Sequence, residues 1–202
     1  MPYVENKNLK GLARALRDSS TPKTDVTIQA IRLIEESNQL SGTLLQKALL
    51  PIILTNTLYL IACLDTKQEL LTNLCPQFSG AKIIFPLGRW LDRIRENLEF
   101  TSDRALEVFL LPNQDIDSSH REVKKWRAGK MPTWKMIQGF SGKDIEQLNT
   151  GFAVINILHG ILKLMKSVDS DEFGFDAESL FKTSPQLQAL AKERASKSLL
   201  AS

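Results

Sequence analysis

The sequence predicts an all-α protein built as a multi-helix bundle. Apolar residues recur at spacings of three and four along most of the chain, which is the period of helices with one buried side. Clusters of Ser, Thr, Pro and Gly interrupt this period, as expected at helix ends. The short apolar run 82–85 has no evident partner strand, so we interpret it as a packed connector. The 202 residues, 43% hydrophobic and 24% charged, are sufficient for a sizeable core.

The N-terminal region, 1–78, is predicted to begin with two short helices. The first covers about 9–17, where apolar residues occupy one side. Thr24 or Asp25 is expected to cap the second, because either side chain can accept a hydrogen bond from the first helical turn.

A long uncharged segment, Ala48–Leu64, follows in the same region. A membrane span has to be considered, because 17 consecutive residues lack charge, but a span requires about 20 apolar residues. The length, Pro51 near the start and the polar triplet 55–57 in the middle argue against a span. We predict a buried helix that Pro51 can kink, forming a core or a subunit interface, and no membrane partner.

The middle region, 82–140, is predicted to open with two amphipathic helices. The first follows Pro86, and Thr101 or Ser102 caps the second, which ends at Pro112. The inward positions of the first helix are Leu87, Trp90, Leu91, Ile94 and Leu98.

Positive charge is concentrated between His120 and Ile137. This segment holds six basic residues against one acid, Glu122, a balance of +5, whereas the whole chain carries +3, so the remainder sums to −2. The six are Arg121, Lys124, Lys125, Arg127, Lys130 and Lys135. A local basic cluster of this kind indicates an anionic partner.

The same segment predicts one helix, a stop and a second helix. Ser118 or Ser119 is expected to cap the first helix, and Gly129 to end it in a left-handed conformation. Pro132 suits the first turn of the second helix, where its missing N–H costs nothing. The inward positions of the two helices are Val123, Trp126, Trp134 and Ile137.

The C-terminal region, 141–202, is predicted to pack on the middle region. Its longest helix runs from Lys143 to about Val168 and is apolar on two sides, which is typical of a central helix in a bundle. The two seams are Ile145, Leu148, Phe152, Ile155 and Leu162, and Val154, Ile157, Ile161, Leu164 and Val168. His159 is expected to be a core residue rather than a metal ligand. One or two helices follow, with Pro185 between them.

No motif for catalysis, metal binding or a cofactor is found. Phosphate-binding glycine loops, zinc-type Cys and His spacings and a nucleophile elbow are all missing from the sequence. Asp115, Asp117 and His120 are close together, but turn and capping roles explain them more simply. Cys63 and Cys75 give no disulfide framework. We therefore predict a cytoplasmic protein that is not an enzyme and needs no cofactor.

The region 87–140 resembles the helix-turn-helix of the Cro and phage-repressor family. In that family the recognition helix is followed by a turn bearing Gly-Lys or Gly-Arg and then by a proline. Val123 and Trp126 match the inward positions of the recognition helix, Gly129-Lys130 match the turn, and Pro132 matches the proline. The likeness covers about a quarter of the chain.

This resemblance implies a transcriptional regulator that binds duplex DNA, usually as a dimer, through a helix at 118–128. Ser119, His120 and Arg121 would lie at the end that faces the bases. The expected phosphate contacts are Lys124, Lys125, Arg127, Lys130 and Lys135. Five or six such contacts predict a slope of log affinity against log salt of about −5.

A second hypothesis is an all-helical, non-catalytic interaction subunit of a protein or nucleoprotein assembly that reads RNA or single strands. The three-quarters of the chain outside the resemblance support it. Co-purification separates the two hypotheses, because duplex DNA favours the first, whereas RNA or one fixed protein partner favours the second.

Overall fold

The structure is a computed structural model that describes residues 6–19, 22–37, 41, 44–64, 70–80, 82–133, 135–136, 145–167 and 176–200. These residues are mostly helical and include one short hairpin, which confirms the all-α prediction. The elements are α1 (Asn6–Asp18), α2 (Asp25–Glu36), a π-helical turn (Leu45–Leu49), α3 (Leu50–Leu64), α4 (Leu70–Leu74), β1 (Gln77–Ser79), β2 (Lys82–Ile84), α5 (Pro86–Asn97), α6 (Asp103–Leu110), α7 (Ile116–Arg127), α8 (Ile145–Ser167), α9 (Ala177–Lys182) and α10 (Ser184–Leu200).

The chain forms two compact units. Unit 1 comprises Met1–Thr72 and Ile161–Ser202, and unit 2 comprises Asn73–Gly160. Unit 1 therefore takes residues from both of the predicted terminal regions, 1–78 and 141–202.

In unit 1, α1, α2 and the π-helical turn share one apolar core. It includes Leu9, Ala13, Ala30, Ile31, Ile34 and Ala48. Thr24 caps α2 in a reciprocal arrangement, as its Oγ1 accepts from the backbone N–H of Thr27 at 3.3 Å, and Thr27 Oγ1 accepts from that of Thr24 at 2.9 Å. The predicted cap at Thr24 is confirmed.

The uncharged segment forms the last two residues of the π-helical turn and all of α3. Helix α3 is buried on one side only. Pro51 lacks an N–H for the carbonyl four residues earlier, and the wider π turn directly precedes it. The buried side packs on α10, α2 and α9. The stretch Lys47–Leu64 is long and apolar enough to cross a membrane by length and composition, which is weak evidence because a core helix passes the same test.

The prediction that 82–85 is an unpaired connector is wrong. Strand β2 pairs with β1 in antiparallel register, with Phe78 opposite Ile83. Gly80, at φ +56°, lies in the connecting turn. A three-residue strand is too short to show alternation, so the sequence does not reveal β1 as its partner.

Three predicted inward positions are also wrong, because Leu98, Ile157 and Leu164 are exposed. Leu98 follows the last residue of α5. The other described positions of the two seams are buried as predicted, together with Leu158 and Met165; they are Phe152, Ile155, Leu162, Val154 and Ile161. The predictions for Trp134, Ile137, Lys143 and Val168, and for the side chains of Ile145 and Leu148, fall outside the described residues.

Candidate nucleic-acid interface

In unit 2, α5, α6 and α7 pack together around a shared apolar centre. The buried residues of this centre include Leu87, Trp90, Leu91, Leu106, Leu110, Val123 and Trp126. Trp126 is fully buried, so its indole anchors α7 against its neighbours rather than facing a ligand. The predicted inward positions Val123 and Trp126 are confirmed.

The start of α7 lies earlier than the predicted cap at Ser118 or Ser119. Asp115 caps the helix, because its Oδ1 accepts from the backbone N–H of Ser118 at 2.9 Å. Hydrogen bonds from Ser118 hold the pKa of Asp115 below its usual range. The prediction of a serine cap is wrong, since Asp115 supplies the acceptor before either serine is reached.

Because α7 begins at Ile116, Ser119 lies within the helix rather than at its cap. Four residues before Val123 and seven before Trp126, Ser119 lies on the same buried side, and it is 1% exposed. Its Oγ is 3.5 Å from the carbonyl oxygen of Leu111. The prediction that Ser119 faces a base is therefore corrected, because a side chain beneath α7 cannot reach one.

His120 is exposed but linked to α6. Its Nδ1 lies 2.9 Å from Oε1 of Glu107, whose side chain is buried. This hydrogen bond joins α7 to α6. No sequence pattern indicates Glu107 as a partner of His120, although Glu107 lies one residue after the buried Leu106 on the same helix.

The exposed side of α7 lies opposite the buried one. Its residues, at spacings of four, three and four, are Asp117, Arg121, Lys124 and Ala128. The guanidinium of Arg121 reaches back to the carbonyl oxygen of Asp117 and to Ser118 Oγ, at 3.3 and 3.4 Å. Within the described part of the chain, no carboxylate forms an ion pair with Arg121 or Lys124.

Lys125 and Lys130 share a single carboxylate. Each Nζ lies 3.2 Å from a different oxygen of Glu122, whose side chain is mostly buried. Burial raises the pKa of Glu122, but the two lysines outweigh this effect and the pKa is lowered. Two cations and one anion leave a net charge of +1 at this position.

Arg127 is engaged inside unit 2. Its Nη1 lies 2.6 Å from Asp92 of α5, and its Nη2 lies 3.1 Å from Asp103 of α6, which also receives Arg95 at 3.0 Å. The side chain of Arg127 is only 28% exposed. Arg127 therefore ties α7 to both neighbouring helices, a different use from the predicted phosphate contact.

The end of α7 is a turn that requires glycine. The N–H of Gly129 donates to the carbonyl of Trp126, and that of Lys130 to the carbonyl of Lys125, both at 3.0 Å. Gly129 has φ +96°, and an added Cβ would lie 2.8 Å from the ring of Phe85. The predicted left-handed glycine is confirmed.

Beyond the turn, Lys130 and Lys135 are exposed. Pro132 is buried and precedes Thr133, whose carbonyl accepts from the N–H of Met136 at 3.0 Å. Thr133 therefore begins the turn that closes at Met136. Pro132 lies just before this turn, so the prediction that it occupies the first turn of the second helix is wrong.

A polar cleft of about 460 Å³ lies elsewhere in unit 2. It is lined by Asn73, Gln77, Arg89, Asp92, Arg93, Glu96 and Asn97. Small-molecule sites are usually lined by apolar residues with a few polar groups, which this cleft does not resemble. Across the described ranges, no group of three or more His, Cys, Asp or Glu residues is placed to hold a metal ion.

Comparisons of the chain with protein-family models, characterised proteins and solved structures found no match.

Proposed function

We propose that this protein binds duplex DNA through the exposed side of α7 and acts as a transcriptional regulator. One observation supports this most strongly. Arg121 and Lys124 project from the exposed side of a helix whose opposite side is anchored by Val123 and Trp126. A helix fits the major groove, about 12 Å wide, and an arginine there can pair with guanine.

The proposed contact set is smaller than the sequence predicts. Arg121 and Lys124 are the central contacts, and Lys125, Lys130 and Lys135 are peripheral phosphate contacts. Ser119 is buried and Arg127 is paired, so neither belongs to the set. His120 belongs to its edge because its ring is exposed. Asp117 lies on the same exposed side in the first turn of α7. Because its carboxylate would repel phosphates, they would approach the later turns of α7.

The salt dependence of binding tests the electrostatic part of the proposal. Arg121, Lys124 and Lys135 contribute one charge each, and Lys125 with Lys130 contributes a net charge of one. At about 0.9 per neutralised phosphate, log affinity against log salt should have a slope of about −3 to −4. A slope near zero on any duplex would contradict the proposal.

Reversing the charge of Lys124 tests the location of the interface. Lys124→Glu should weaken binding to duplex DNA by at least about 10-fold at low salt, because a phosphate contact becomes a repulsion. Fluorescence anisotropy measures the affinity, and circular dichroism checks the fold.

The matched control is Lys163→Glu, the same change at an exposed lysine of α8 in unit 1. It should leave affinity nearly unchanged. Equal losses in the two variants would mean that α7 is not the interface.

The second candidate is a non-catalytic interaction subunit of a protein or nucleoprotein assembly. The exposed apolar side chains of α3 favour it, because surfaces of this kind mark contacts between proteins. Sequencing the nucleic acid that co-purifies at low salt distinguishes the candidates. Duplex DNA supports the first, whereas RNA or one constant protein supports the second.

A further inference from the structure

The polar cleft of unit 2 is lined mainly by one side of α5. Five of its lining residues belong to that helix, and their spacings of three, one, three and one place them on the same side. They are Arg89, Asp92, Arg93, Glu96 and Asn97. The other two lining residues are Asn73 of α4 and Gln77 of β1. All seven belong to unit 2, so the cleft is formed within this unit.

Two arginines of the cleft lie one helical turn apart without a carboxylate partner. Arg89 and Arg93 are both half-buried, and Nε of Arg89 donates to the carbonyl oxygen of Asn73 at 3.2 Å, which holds this guanidinium at the cleft. Within the described part of the chain neither arginine forms an ion pair, although Asp92 and Glu96 follow them at the favourable spacing of three. Like charges four residues apart on a helix repel each other, so an anion between the two arginines would be stabilising.

The acidic residues of the cleft do not cancel this positive charge. Asp92 belongs to a network in which two carboxylates and two guanidiniums balance, and its partner there is Arg127 at 2.6 Å. Arg89 and Arg93 are then opposed by Glu96 alone, which leaves a net charge of +1 at the cleft. This balance favours an anionic ligand over a neutral or cationic one.

The remaining side chains suit hydroxyl groups rather than apolar surface. The amides of Gln77 and Asn97 can each donate and accept, and the carboxylate of Glu96 can accept from a hydroxyl. None of the seven lining residues is apolar or aromatic, so an aromatic base or an acyl chain would have nothing to pack against. The volume of about 460 Å³ lies within the range of small-molecule sites.

We propose that this cleft binds a small phosphorylated polyol, the chemical class to which sugar phosphates belong. The phosphate lies between Arg89 and Arg93, because the fork of a guanidinium matches the geometry of phosphate oxygens. The hydroxyl groups face Gln77, Glu96 and Asn97. A free phosphate ion would satisfy the arginines alone, so the preference for the whole ligand measures the contribution of the other three side chains.

Binding can be measured on the full chain without nucleic acid, so its outcome does not depend on the proposed DNA binding. Isothermal titration calorimetry compares glucose 6-phosphate, ribose 5-phosphate and glycerol 3-phosphate with inorganic phosphate and with glucose. At least one of the phosphorylated polyols should bind at least about 10-fold more tightly than inorganic phosphate, because its hydroxyl groups add hydrogen bonds. Glucose should bind at least about 100-fold more weakly than that ligand, because it lacks the phosphate.

Two substitutions test the assignment of the side chains. Arg93→Gln should weaken binding of the preferred phosphorylated polyol at least about 10-fold, because a charge-assisted contact is lost. Arg93→Lys keeps the charge without the fork and repeats the test should the glutamine variant fail to fold. Glu96→Gln should tighten the binding of inorganic phosphate and reduce the preference for the polyol, because a charge that repels phosphate and accepts from hydroxyls is removed.

The matched control is Arg104→Gln, the same change at an exposed arginine of α6 outside the cleft, which should leave the affinity unchanged. Circular dichroism checks that each variant folds. The proposal is overturned if no phosphorylated polyol binds more tightly than inorganic phosphate, or if glucose binds as tightly as glucose 6-phosphate. It is also overturned if Arg93→Gln binds the preferred ligand as tightly as Arg104→Gln does.

Discussion

At the scale of single residues, the cations of α7 differ in their availability because of carboxylates supplied by other positions. Arg121 and Arg127 have the same side chain on the same helix, yet Arg127 is paired with Asp92 and Asp103. Among the described residues, the guanidinium of Arg121 instead donates to Asp117 and Ser118 of its own helix. Lys125 and Lys130 are intermediate, because they share Glu122. The density of basic residues alone therefore overstates the charge that a polyanion would meet.

Removing the charge of Glu122 should strengthen binding to duplex DNA. Glu122→Gln leaves Lys125 and Lys130 without their carboxylate partner, so both lysines become available to phosphates. We expect affinity at low salt to rise by about 3- to 10-fold and the salt slope to become steeper by about one unit. Fluorescence anisotropy over a salt series measures both quantities.

Glu178→Gln is the matched control, because it removes the 2.9 Å ion pair with Lys182 in unit 1 by the same substitution. No change in affinity is expected from it. Weaker binding by Glu122→Gln would show that Glu122 acts by orienting the lysines.

The lowered pKa of Glu122 means that its ion pairs stabilise the fold at pH above its ordinary pKa of 4.5. This stabilisation is lost as the pH falls through the lowered pKa.

At the scale of elements, α5 and α7 are each followed closely by a residue with positive φ, and the two residues differ in type and in packing. Glu99 after α5 has φ +54° and Gly129 after α7 has φ +96°. Gly129 is also crowded, because Phe85 occupies the space where a Cβ would lie. The end of α7 is thus defined by both backbone conformation and packing.

Gly129→Ala should destabilise the protein by about 2 kcal/mol, combining a left-handed alanine with a clash against Phe85. Chemical denaturation measures the free energy of unfolding. Gly80→Ala separates the two causes, since Gly80 has φ +56° but no atom within 4 Å of the added Cβ. That variant should lose about 1 kcal/mol. Equal losses in both would mean that the Phe85 contact is unimportant.

The sequence predicts helix positions well where local signals determine them. The cap at Thr24, the inward positions Val123 and Trp126, and the glycine stop at residue 129 all follow from spacing and from residue chemistry. The start of α7 is predicted less well, since three residues near it can each act as a cap. The pairing of Arg127 with Asp92 is not predictable in this way, because 35 residues separate them and only helix packing brings them together.

At the scale of the whole molecule, unit 1 joins distant parts of the chain. The most extensive contacts of α3 are with α10, and Gln186 Nε2 donates to the carbonyl of Lys23 at 3.3 Å across 163 residues. No local pattern predicts such pairing. The sequence therefore indicates consecutive regions, whereas unit 1 combines segments from both ends of the chain. The core of unit 1 therefore depends on residues from both ends.

Leu187→Ala tests this dependence. Leu187 of α10 is completely buried, and its truncation should cost about 3 kcal/mol of unfolding free energy through lost contacts and a cavity. Thermal or chemical denaturation measures the loss. Leu98→Ala removes the same atoms from an exposed position and should cost well under 1 kcal/mol. Similar losses in the two variants would contradict the role of α10 in this core.

The discontinuity of unit 1 has a consequence for the newly synthesised chain. Helix α3 leaves the ribosome about 120 residues before α10, the helix with which it makes its most extensive contacts. At translation speeds of about 5–20 residues per second, this interval lasts roughly 6–24 s. Throughout this interval, the nascent polypeptide carries a 17-residue uncharged segment without α10, and such a segment is a natural substrate for a chaperone.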